Sequence, residues 1–429
     1  MKTIFKNVTL LPEYGHGNKP MYVVVEDRKI TEITEKMPDT AGAEVVEGNG
    51  NLLMPAFYNT HCHAAMTLFR GYGEDLPLQR WLEERIFPAE DKLTPKSVYV
   101  ATKWAIAEML RGGIASFSDM YMFEDSVAEA VLETGIKANL SRSIVSFDPT
   151  IDIKKDSRFA ETLSLIHQYQ NADDGRIRVD LSLHAEYTNV PIACRDLAVY
   201  AKEQGLGMQI HLSETEKEHR ECIGRHGKTP TRFFADLGVL DVPTTAAHCV
   251  WVEDADIEIL AQKGVSVAHN PVSNLKLGSG VLPMRKLLDR GVNVTLGTDG
   301  VASNNRLDLL REMQTAAILH KGVNRDPAIT IASEMLPLAT ANGARAQGRF
   351  DCGSVEIGNR ADLVLINRYS IHNQPSYDDY AMLAYSAERS DVLLTMVDGR
   401  ILYRNGEYTS IDEERLAYEA REVFAHYFD

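Results

Sequence analysis

The stretch Asn59-Thr60-His61-Cys62-His63 directly follows an apolar run at positions 52–57, and these two segments decide how the chain folds. The run has the length and the bounding residues of a buried strand. Side chains on an extended backbone alternate between two faces, so His61 and His63 point the same way. Two imidazoles on one face at the end of a strand form half of a metal site. Cys62 points to the other face, and we do not expect it to be a ligand.

The composition of the 429-residue chain limits the classes to which it can belong. The length fits one barrel-sized domain plus a smaller one, and 44% hydrophobic residues allow a large core. The formal net charge of -16 argues against a nucleic-acid partner, because phosphate binding requires clustered Lys and Arg. Five dispersed cysteines without a C-x-x-C pattern predict no disulfide framework and a reducing cytoplasm. There is no signal peptide and no apolar run of about 20 residues, so we expect no membrane partner.

Both ends of the chain carry a β-strand pattern. Residues 1–54 contain short β-branched, alternating segments that are typical of strands and hairpins. Beyond residue 346 the same pattern returns, and residues 412–427 have the pattern of a terminal helix. We therefore predict a small β-sandwich domain built from both termini, residues 1–54 plus 350–429, with a C-terminal helix.

The middle of the chain, residues 55–349, alternates between strand and helix patterns. Thr94 and Pro95 open one helix, as N-cap and first-turn residues should, and that helix ends at Gly112. Eight such alternations predict an α/β fold, the closed (β/α)8 TIM barrel. An open doubly wound sheet is the alternative, but no glycine-rich nucleotide loop follows the first strand.

Side chains of metal-ligand type close most strands of the predicted barrel, at the end where this fold places active sites. A single histidine at a strand end is usually a hydrogen-bonded structural residue. Six histidines and an aspartate at equivalent positions have no comparable structural explanation, so we predict a metal site. In strand order they are His61, His63, His184, His211, His248, His269 and Asp299.

We expect His61, His63, His211 and Asp299 to bind one divalent metal. The fold brings the first strand beside the eighth, and the fifth strand lies across from them. Three imidazoles and one carboxylate, with an open position for water, suit Zn²⁺ first and Fe²⁺ second. No Lys closes the fourth strand, where a bridging carbamate would be needed for a second metal.

Glu214, three residues past His211, is the predicted general base. A carboxylate just beyond the strand end can reach both a water molecule and a leaving group. The alternative is a surface glutamate at the start of a helix. We expect His248 to hydrogen-bond the water or to polarise the substrate. For His269 two interpretations stay open, support of the metal ligands or fixing of a loop.

The chain resembles the amidohydrolase superfamily over essentially its whole length. Within that superfamily, positions 66–71 and 273–278 resemble the branch that holds S-adenosylhomocysteine and 5'-methylthioadenosine deaminases. The same branch includes triazine chlorohydrolases, so branch membership alone does not define the leaving group. The motifs that carry the resemblance are positions 55–63, 211–215, 247–249 and 297–300.

The resemblance implies a set of substrate contacts. Trp81 and Glu90 match residues that line the ribose end, where a carboxylate accepts hydrogen bonds from vicinal hydroxyls; the alternative is packing within a loop. His184 matches a residue that contacts a purine ring nitrogen. Arg142 and Arg158 match arginines near the distal carboxylate of adenosylhomocysteine. Arg158 follows a region, residues 148–157, whose length departs from the family pattern, and a plain surface arginine fits it equally well.

The resulting prediction is an enzyme, a metal-dependent hydrolytic deaminase of S-adenosylhomocysteine, 5'-methylthioadenosine and adenosine. It releases ammonia and an inosine-type product; Glu214 transfers protons and contacts the purine, and His248 and Asp299 support the attacking oxygen. One alternative is another hydrolase with the same site, a guanine deaminase or a triazine-type chlorohydrolase. A second alternative is a non-catalytic scaffold on this fold. The native metal, the preferred nucleoside and the oligomeric state, homo-oligomer included, stay open.

Overall fold

Two separate sheets organise residues 2–14 and 19–428, the part of the chain that this computed structural model describes. One sheet consists of parallel strands from the middle of the sequence, and the other combines strands from both ends. The strands are β1 (Lys2–Leu10), β2 (Met21–Glu26), β3 (Lys29–Thr34), β4 (Ala43–Glu47), β5 (Leu52–Pro55), β6 (Phe57–Cys62), β7 (Ile114–Tyr121), β8 (Lys137–Ile144), β9 (Ile177–Val179), β10 (Leu181–Leu183), β11 (Met208–Leu212), β12 (Thr244–His248), β13 (Ser266–His269), β14 (Asn293–Leu296), β15 (Leu363–Ile366), β16 (Val392–Val397), β17 (Arg400–Arg404) and β18 (Glu407–Tyr408).

Helices connect and cover the parallel strands, and one further helix ends the chain. Of these helices, α3 begins at the Thr94 N-cap, whose hydroxyl accepts a hydrogen bond from Ser97 N, and it ends at Gly112, as predicted. The helices are α1 (Leu78–Trp81), α2 (Phe87–Glu90), α3 (Pro95–Arg111), α4 (Glu124–Thr134), α5 (Ser157–Tyr169), α6 (Ala172–Gly175), α7 (Pro191–Gln204), α8 (Glu216–His226), α9 (Pro230–Asp236), α10 (Asp254–Lys263), α11 (Pro271–Lys276), α12 (Met284–Asp289), α13 (Val301–Asn304), α14 (Leu309–Asn324), α15 (Ala332–Ala339), α16 (Ala341–Ala346), α17 (Asp379–Tyr385) and α18 (Glu413–Phe428).

The parallel sheet is the predicted barrel. Its strands follow one another in the order β6, β7, β8, β10, β11, β12, β13, β14. The short strand β9 precedes β10 in the chain and also pairs with β8, so β9 and β10 together form the fourth strand of the barrel. All of these neighbours pair in parallel. Sequential neighbours exclude the open doubly wound alternative, in which the strand order reverses. The predicted fold class, an α/β barrel with a separate sheet from both termini, is confirmed.

Backbone hydrogen bonds join the first strand of the barrel to the segment after the last. The amides of Thr298 and Asp299 both donate to the carbonyl of His61, at 3.1 and 2.9 Å. The Thr60 hydroxyl donates to the Leu296 carbonyl at 2.9 Å. These contacts place Asp299 directly beside the first strand.

The apolar run that leads to the histidine pair is not one strand but two. Leu52–Pro55 forms β5, which pairs antiparallel with β15 in the terminal sheet, and the barrel begins only with β6 at Phe57. Ala56 stands between them, and its amide donates to the Asp362 carbonyl, while the Phe57 amide already donates to Gly113 in the barrel. Apolarity alone could not show this division, because both strands are buried on both faces.

The terminal sheet combines β1–β5 with β15–β18 around its own core. The order is β18-β17-β16-β15-β5-β1-β2-β3, with β4 beside β1. The pairing of β1 with β2 changes register between Phe5 and Val8. On its other edge, β1 pairs with β4 over residues 2–6 and with β5 at Thr9 and Leu10. Both termini contribute buried side chains to one cluster, for example Val23 and Leu363. The division into residues 1–54 plus 350–429 and 55–349 stays a prediction.

The last helix lies against the barrel, whereas the sequence assigns it to the terminal domain. The Tyr427 hydroxyl is 2.8 Å from Ser97 Oγ at the start of α3 and donates to the Lys92 carbonyl at 2.9 Å. The rings of Phe424 and Trp104 of α3 meet edge to face. The amphipathic pattern of α18 predicts a buried face but not which surface covers it. No helix within the described ranges is long and apolar enough to cross a membrane.

A buried ion cluster joins the two sheets at the start of β8. Lys137 Nζ lies 2.6 Å from Asp362 Oδ2 and 2.7 Å from Asp398 Oδ1, and all three side chains are almost fully buried. Burial alone would raise the pKa of Asp398, but attraction to Lys137 and Arg176 outweighs it and lowers that pKa to about 2. Lys137 therefore compensates the charge of Asp362, and it shares that of Asp398 with Arg176 and Arg360.

We predict that Lys137→Met strongly destabilises the protein. The substitution leaves two buried carboxylates without their lysine, which costs about 3–5 kcal/mol of unfolding free energy in comparable buried pairs. Chemical denaturation followed by circular dichroism measures the loss. Lys263→Met is the control, because Lys263 and its partner Asp241 are both more than a third exposed. The denaturation midpoint of this variant should stay close to that of the wild type. Equal stability of the two variants would contradict the role of the cluster.

Candidate metal centre and substrate cavity

Three histidines from distant parts of the chain meet at the carboxyl end of the barrel. His61 lies in β6, His63 follows that strand, and His211 lies in β11. Their candidate ligand atoms all lie within 4.8 Å of one another. Asp299, after β14, places Oδ1 3.3 Å from His63 Nε2 and 3.7 Å from His61 Nε2. The structure thus brings together the four side chains that the sequence predicts as a metal site.

Hydrogen bonds to the backbone orient two of these imidazoles. His63 Nδ1 lies 2.8 Å from the Met120 carbonyl, and His211 Nδ1 lies 2.7 Å from the His184 carbonyl. A carbonyl can only accept, so both Nδ1 atoms carry a proton and direct Nε2 toward the centre. Burial lowers the pKa of His63, but the facing carboxylate of Asp299 outweighs it and raises that pKa.

The donor set fits a divalent metal. Within the described residues, the buried Nε2 of His61 has no hydrogen-bond partner, which is costly unless another group uses its lone pair. Burial and neighbouring histidines hold the pKa of His61 and of His211 well below the usual value, so both rings are neutral. Neutral imidazoles with lone pairs directed at one point are what a metal ion requires.

Two serines and a backbone amide hold the carboxylate of Asp299. Oδ2 accepts from Ser273 Oγ at 2.6 Å and from Ser303 Oγ at 3.1 Å. Oδ1 accepts from the Gly300 amide at 2.8 Å and is the oxygen that faces the histidines. Ser303, in the short helix α13, was not singled out from the sequence, because a serine in a single helical turn carries no signal of its own.

Glu214 and His248 lie beside the metal centre. Glu214 Oε2 is 3.9 Å from His248 Nε2, while Oε1 accepts from Ser279 Oγ at 3.1 Å. Burial raises the pKa of Glu214, which makes its carboxyl group easier to protonate. Ser279 anchors one carboxylate oxygen and leaves the other free, a role that the sequence did not indicate.

A cavity of about 270 Å³ opens over this centre. Nearly all residues that the resemblance assigns to the substrate contribute to its wall, as do Tyr187 and Thr188, which sequence reasoning missed. The predicted site residues that line it are His63, Trp81, Glu90, Arg142, His184, His211, Glu214, His248 and Asp299.

Two of the lining residues have pKa values that burial shifts strongly. Burial raises the pKa of Glu90 to about 7. Burial lowers the pKa of His184 to about 4, so this ring is neutral at physiological pH. His184 Nδ1 lies 3.2 Å from Thr188 Oγ1, which leaves Nε2 for the cavity.

The two arginines predicted near the substrate differ in position. Arg142 lines the cavity, and its Nε donates to Glu161 Oε2 at 2.6 Å. Arg158 does not line it but lies in an adjacent groove, where it donates to the Val145 carbonyl and faces Asp156.

His269 lies outside the cavity wall as well. It is fully buried, and its Nε2 lies 3.1 Å from Nε2 of His320 in α14. Of the two interpretations left open for it, the contact with His320 favours the fixing of neighbouring segments.

Comparison with known proteins assigns the family. Residues 52–402 match the model of the amidohydrolase family. The chain belongs to the amidohydrolase family. The membership predicted from the motifs, and with it the prediction of an enzyme, is confirmed.

Individual relatives cover nearly the whole chain. It is 46% identical over 378 residues to the 5-methylthioadenosine/S-adenosylhomocysteine deaminase of Dictyoglomus thermophilum, covering 88% of this chain and 87% of that protein. It is 42% identical over 427 residues to the 5'-deoxyadenosine deaminase of Methanosarcina mazei, covering 98% of this chain and 97% of that protein. Among solved structures, an adenosine deaminase from Xanthomonas campestris with bound zinc matches with a TM-score of 0.92 and 32% identity. The match covers 99% of this chain and 98% of that one.

We predict that His61→Asn sharply reduces metal binding. Loss of an imidazole from the centre should weaken zinc affinity at least as much as loss of an outer hydrogen-bond partner, about 10–100-fold. Equilibrium dialysis against zinc, followed by elemental analysis, measures this. His167→Asn, on the exposed side of α5, should keep the wild-type zinc content. Identical zinc contents in the two variants would contradict the proposed centre.

Proposed function

We propose that this amidohydrolase is a metal-dependent hydrolytic deaminase of adenosine-type nucleosides. The observation that carries the proposal is one cavity in which three histidines, Asp299 and Glu214 converge beside the buried carboxyl group of Glu90. The names of the relatives, which are nucleoside deaminases, support it.

The residues that would hold the metal are His61, His63, His211 and Asp299. This donor set suits Zn²⁺, which the Xanthomonas campestris enzyme binds, and Fe²⁺ is the second choice. When bound, such an ion lowers the pKa of a water molecule toward neutrality.

The chain's own residues carry the protons. Glu214 accepts a proton from the attacking water and passes it to N1 of the adenine ring, since its one free oxygen faces the cavity. His248 donates from Nε2 to the oxygen that adds at C6. Asp299 accepts the remaining proton of that oxygen and passes it to the exocyclic amino group, so that the C6–N bond breaks, ammonia leaves and the C6 carbonyl forms. The product is the corresponding inosine-type nucleoside.

The cavity walls account for the nucleoside. We propose that Trp81 covers the ribose and that Glu90 accepts hydrogen bonds from its two vicinal hydroxyls. His184 contacts a purine ring nitrogen through Nε2, and Arg142 binds the distal carboxylate of S-adenosylhomocysteine. A free guanine or a triazine has no vicinal hydroxyls to satisfy Glu90, so this carboxyl group disfavours both alternatives.

The test is turnover of adenosine, 5'-methylthioadenosine and S-adenosylhomocysteine by the zinc-loaded enzyme. Conversion of adenine to hypoxanthine rings changes the ultraviolet absorbance and gives kcat/KM directly. Turnover of guanine or a chlorotriazine with none of the three nucleosides would reject the substrate class and keep the metal chemistry.

We predict that Glu214→Gln lowers kcat by about 10²–10⁴-fold, the usual contribution of a general acid–base group. The amide keeps the shape but cannot accept and return a proton, so zinc content should stay unchanged. Glu216→Gln is the matched control, because this nearby side chain is half-exposed and pairs with Arg220. Wild-type kcat in Glu214→Gln would remove this residue from the mechanism.

We predict that Arg142→Met selectively impairs the use of S-adenosylhomocysteine. A hydrogen bond to a charged group contributes about 1.5–3 kcal/mol, so kcat/KM for this substrate should fall about 10–150-fold. Adenosine lacks the carboxylate and should be affected little. Arg158→Met is the matched control and should change neither value, since Arg158 lies outside the cavity. Equal losses for both substrates would point to a structural role instead.

A further inference from the structure

Two aromatic side chains at the cavity mouth are exposed to solvent although they line the cavity. Phe87 is 42% exposed and Phe147 is 71% exposed. Single exposed apolar residues are common on protein surfaces, so exposure alone decides nothing. Phe147, however, also lines the adjacent groove and therefore forms the edge between two concave surfaces.

The backbone next to Phe147 is held in place. The Ser146 amide donates to the Thr188 carbonyl at 3.0 Å, and the Val190 amide donates to the Ser146 carbonyl at 3.0 Å. These bonds tie the segment to the loop after β10, which itself supplies His184 and Thr188 to the cavity. The backbone that carries the phenyl ring is thus attached to the loop that forms this part of the cavity wall.

Apolar side chains stand beside Phe147 on this wall. Met122 and Val145 line the cavity on the loops after β7 and β8. Arg142 is the arginine of this wall, and Glu161 accepts a hydrogen bond from it. An apolar substituent that packs against these apolar side chains is removed from water, which favours its binding.

The orientation of the nucleoside follows from the proposed function, on which this inference rests. The base must reach the histidines and Glu214, and the ribose hydroxyls meet Glu90. What remains is the 5' substituent, which must then lie toward the mouth. We propose that Phe147 is a specificity-determining residue whose ring packs against an apolar 5' substituent. The site therefore favours 5'-alkylthio-5'-deoxyadenosines over adenosine, because an alkylthio group gains more than a hydroxyl from contact with the apolar ring.

The experiment measures binding rather than turnover, so that it is independent of the chemical step. Zinc-loaded protein carrying Glu214→Gln is titrated with 5'-methylthioadenosine and with adenosine by calorimetry. We expect tighter binding of 5'-methylthioadenosine. Adding Phe147→Ala should weaken that binding about tenfold, as expected for loss of one to two buried methylene equivalents, and change adenosine binding less than twofold.

Two further variants separate packing from general damage. Phe147→Leu keeps an apolar contact and should retain part of the preference. Phe350→Ala removes another phenyl group that is 82% exposed and lies outside the cavity wall, and it should change neither affinity.

The outcomes are distinct for the two proposals. Equal effects of Phe147→Ala on both nucleosides, or no effect, overturn the role of Phe147 and leave the proposed function standing. Binding of both nucleosides with a lost preference in Phe147→Ala, but no deamination by the wild-type enzyme, overturns the proposed function and supports Phe147. Binding of neither nucleoside overturns both.

Discussion

The closure of the barrel between its first and last strands is the constraint on which the site depends. The amides of Thr298 and Asp299 bond to one carbonyl, that of His61, which is itself a metal-ligand residue. These two backbone hydrogen bonds therefore set the distance between the histidine pair and the carboxylate. His211 completes the centre because β11 lies across the barrel from this seam.

Burial gives the same few residues their chemical character. It keeps His61 and His211 neutral, so that their lone pairs are available, and it makes the carboxyl group of Glu214 easier to protonate. The serines that bond Asp299 and Glu214 leave one oxygen of each carboxylate facing the centre. The cavity thus combines a polar floor with apolar walls, an arrangement that suits a planar base carrying a sugar.

Much of the fold was predictable, because strand and helix periods, caps and glycine ends are local signals. The α3 boundaries and the strand ends that carry histidines were predictable for this reason. The division of the run at Ala56 was not, since both halves are equally apolar and only their pairing partners differ. The surface that α18 covers could likewise not be predicted, because an amphipathic pattern shows which face of a helix is buried but not which element packs against it.

The sequence by itself determined the residue types of the centre and their order along the strands, since strand alternation and ligand chemistry are properties of a few neighbouring residues. Only the tertiary structure decided which of these residues lie together in the cavity. It placed Arg142 in the cavity wall and Arg158 in a neighbouring groove, and it brought Phe147, Ser279 and Ser303 to the site. Phe147 and Ser279 lie in loops and Ser303 in the single-turn helix α13. Such short segments show no sequence period, so their positions follow only from the long-range contacts that hold them.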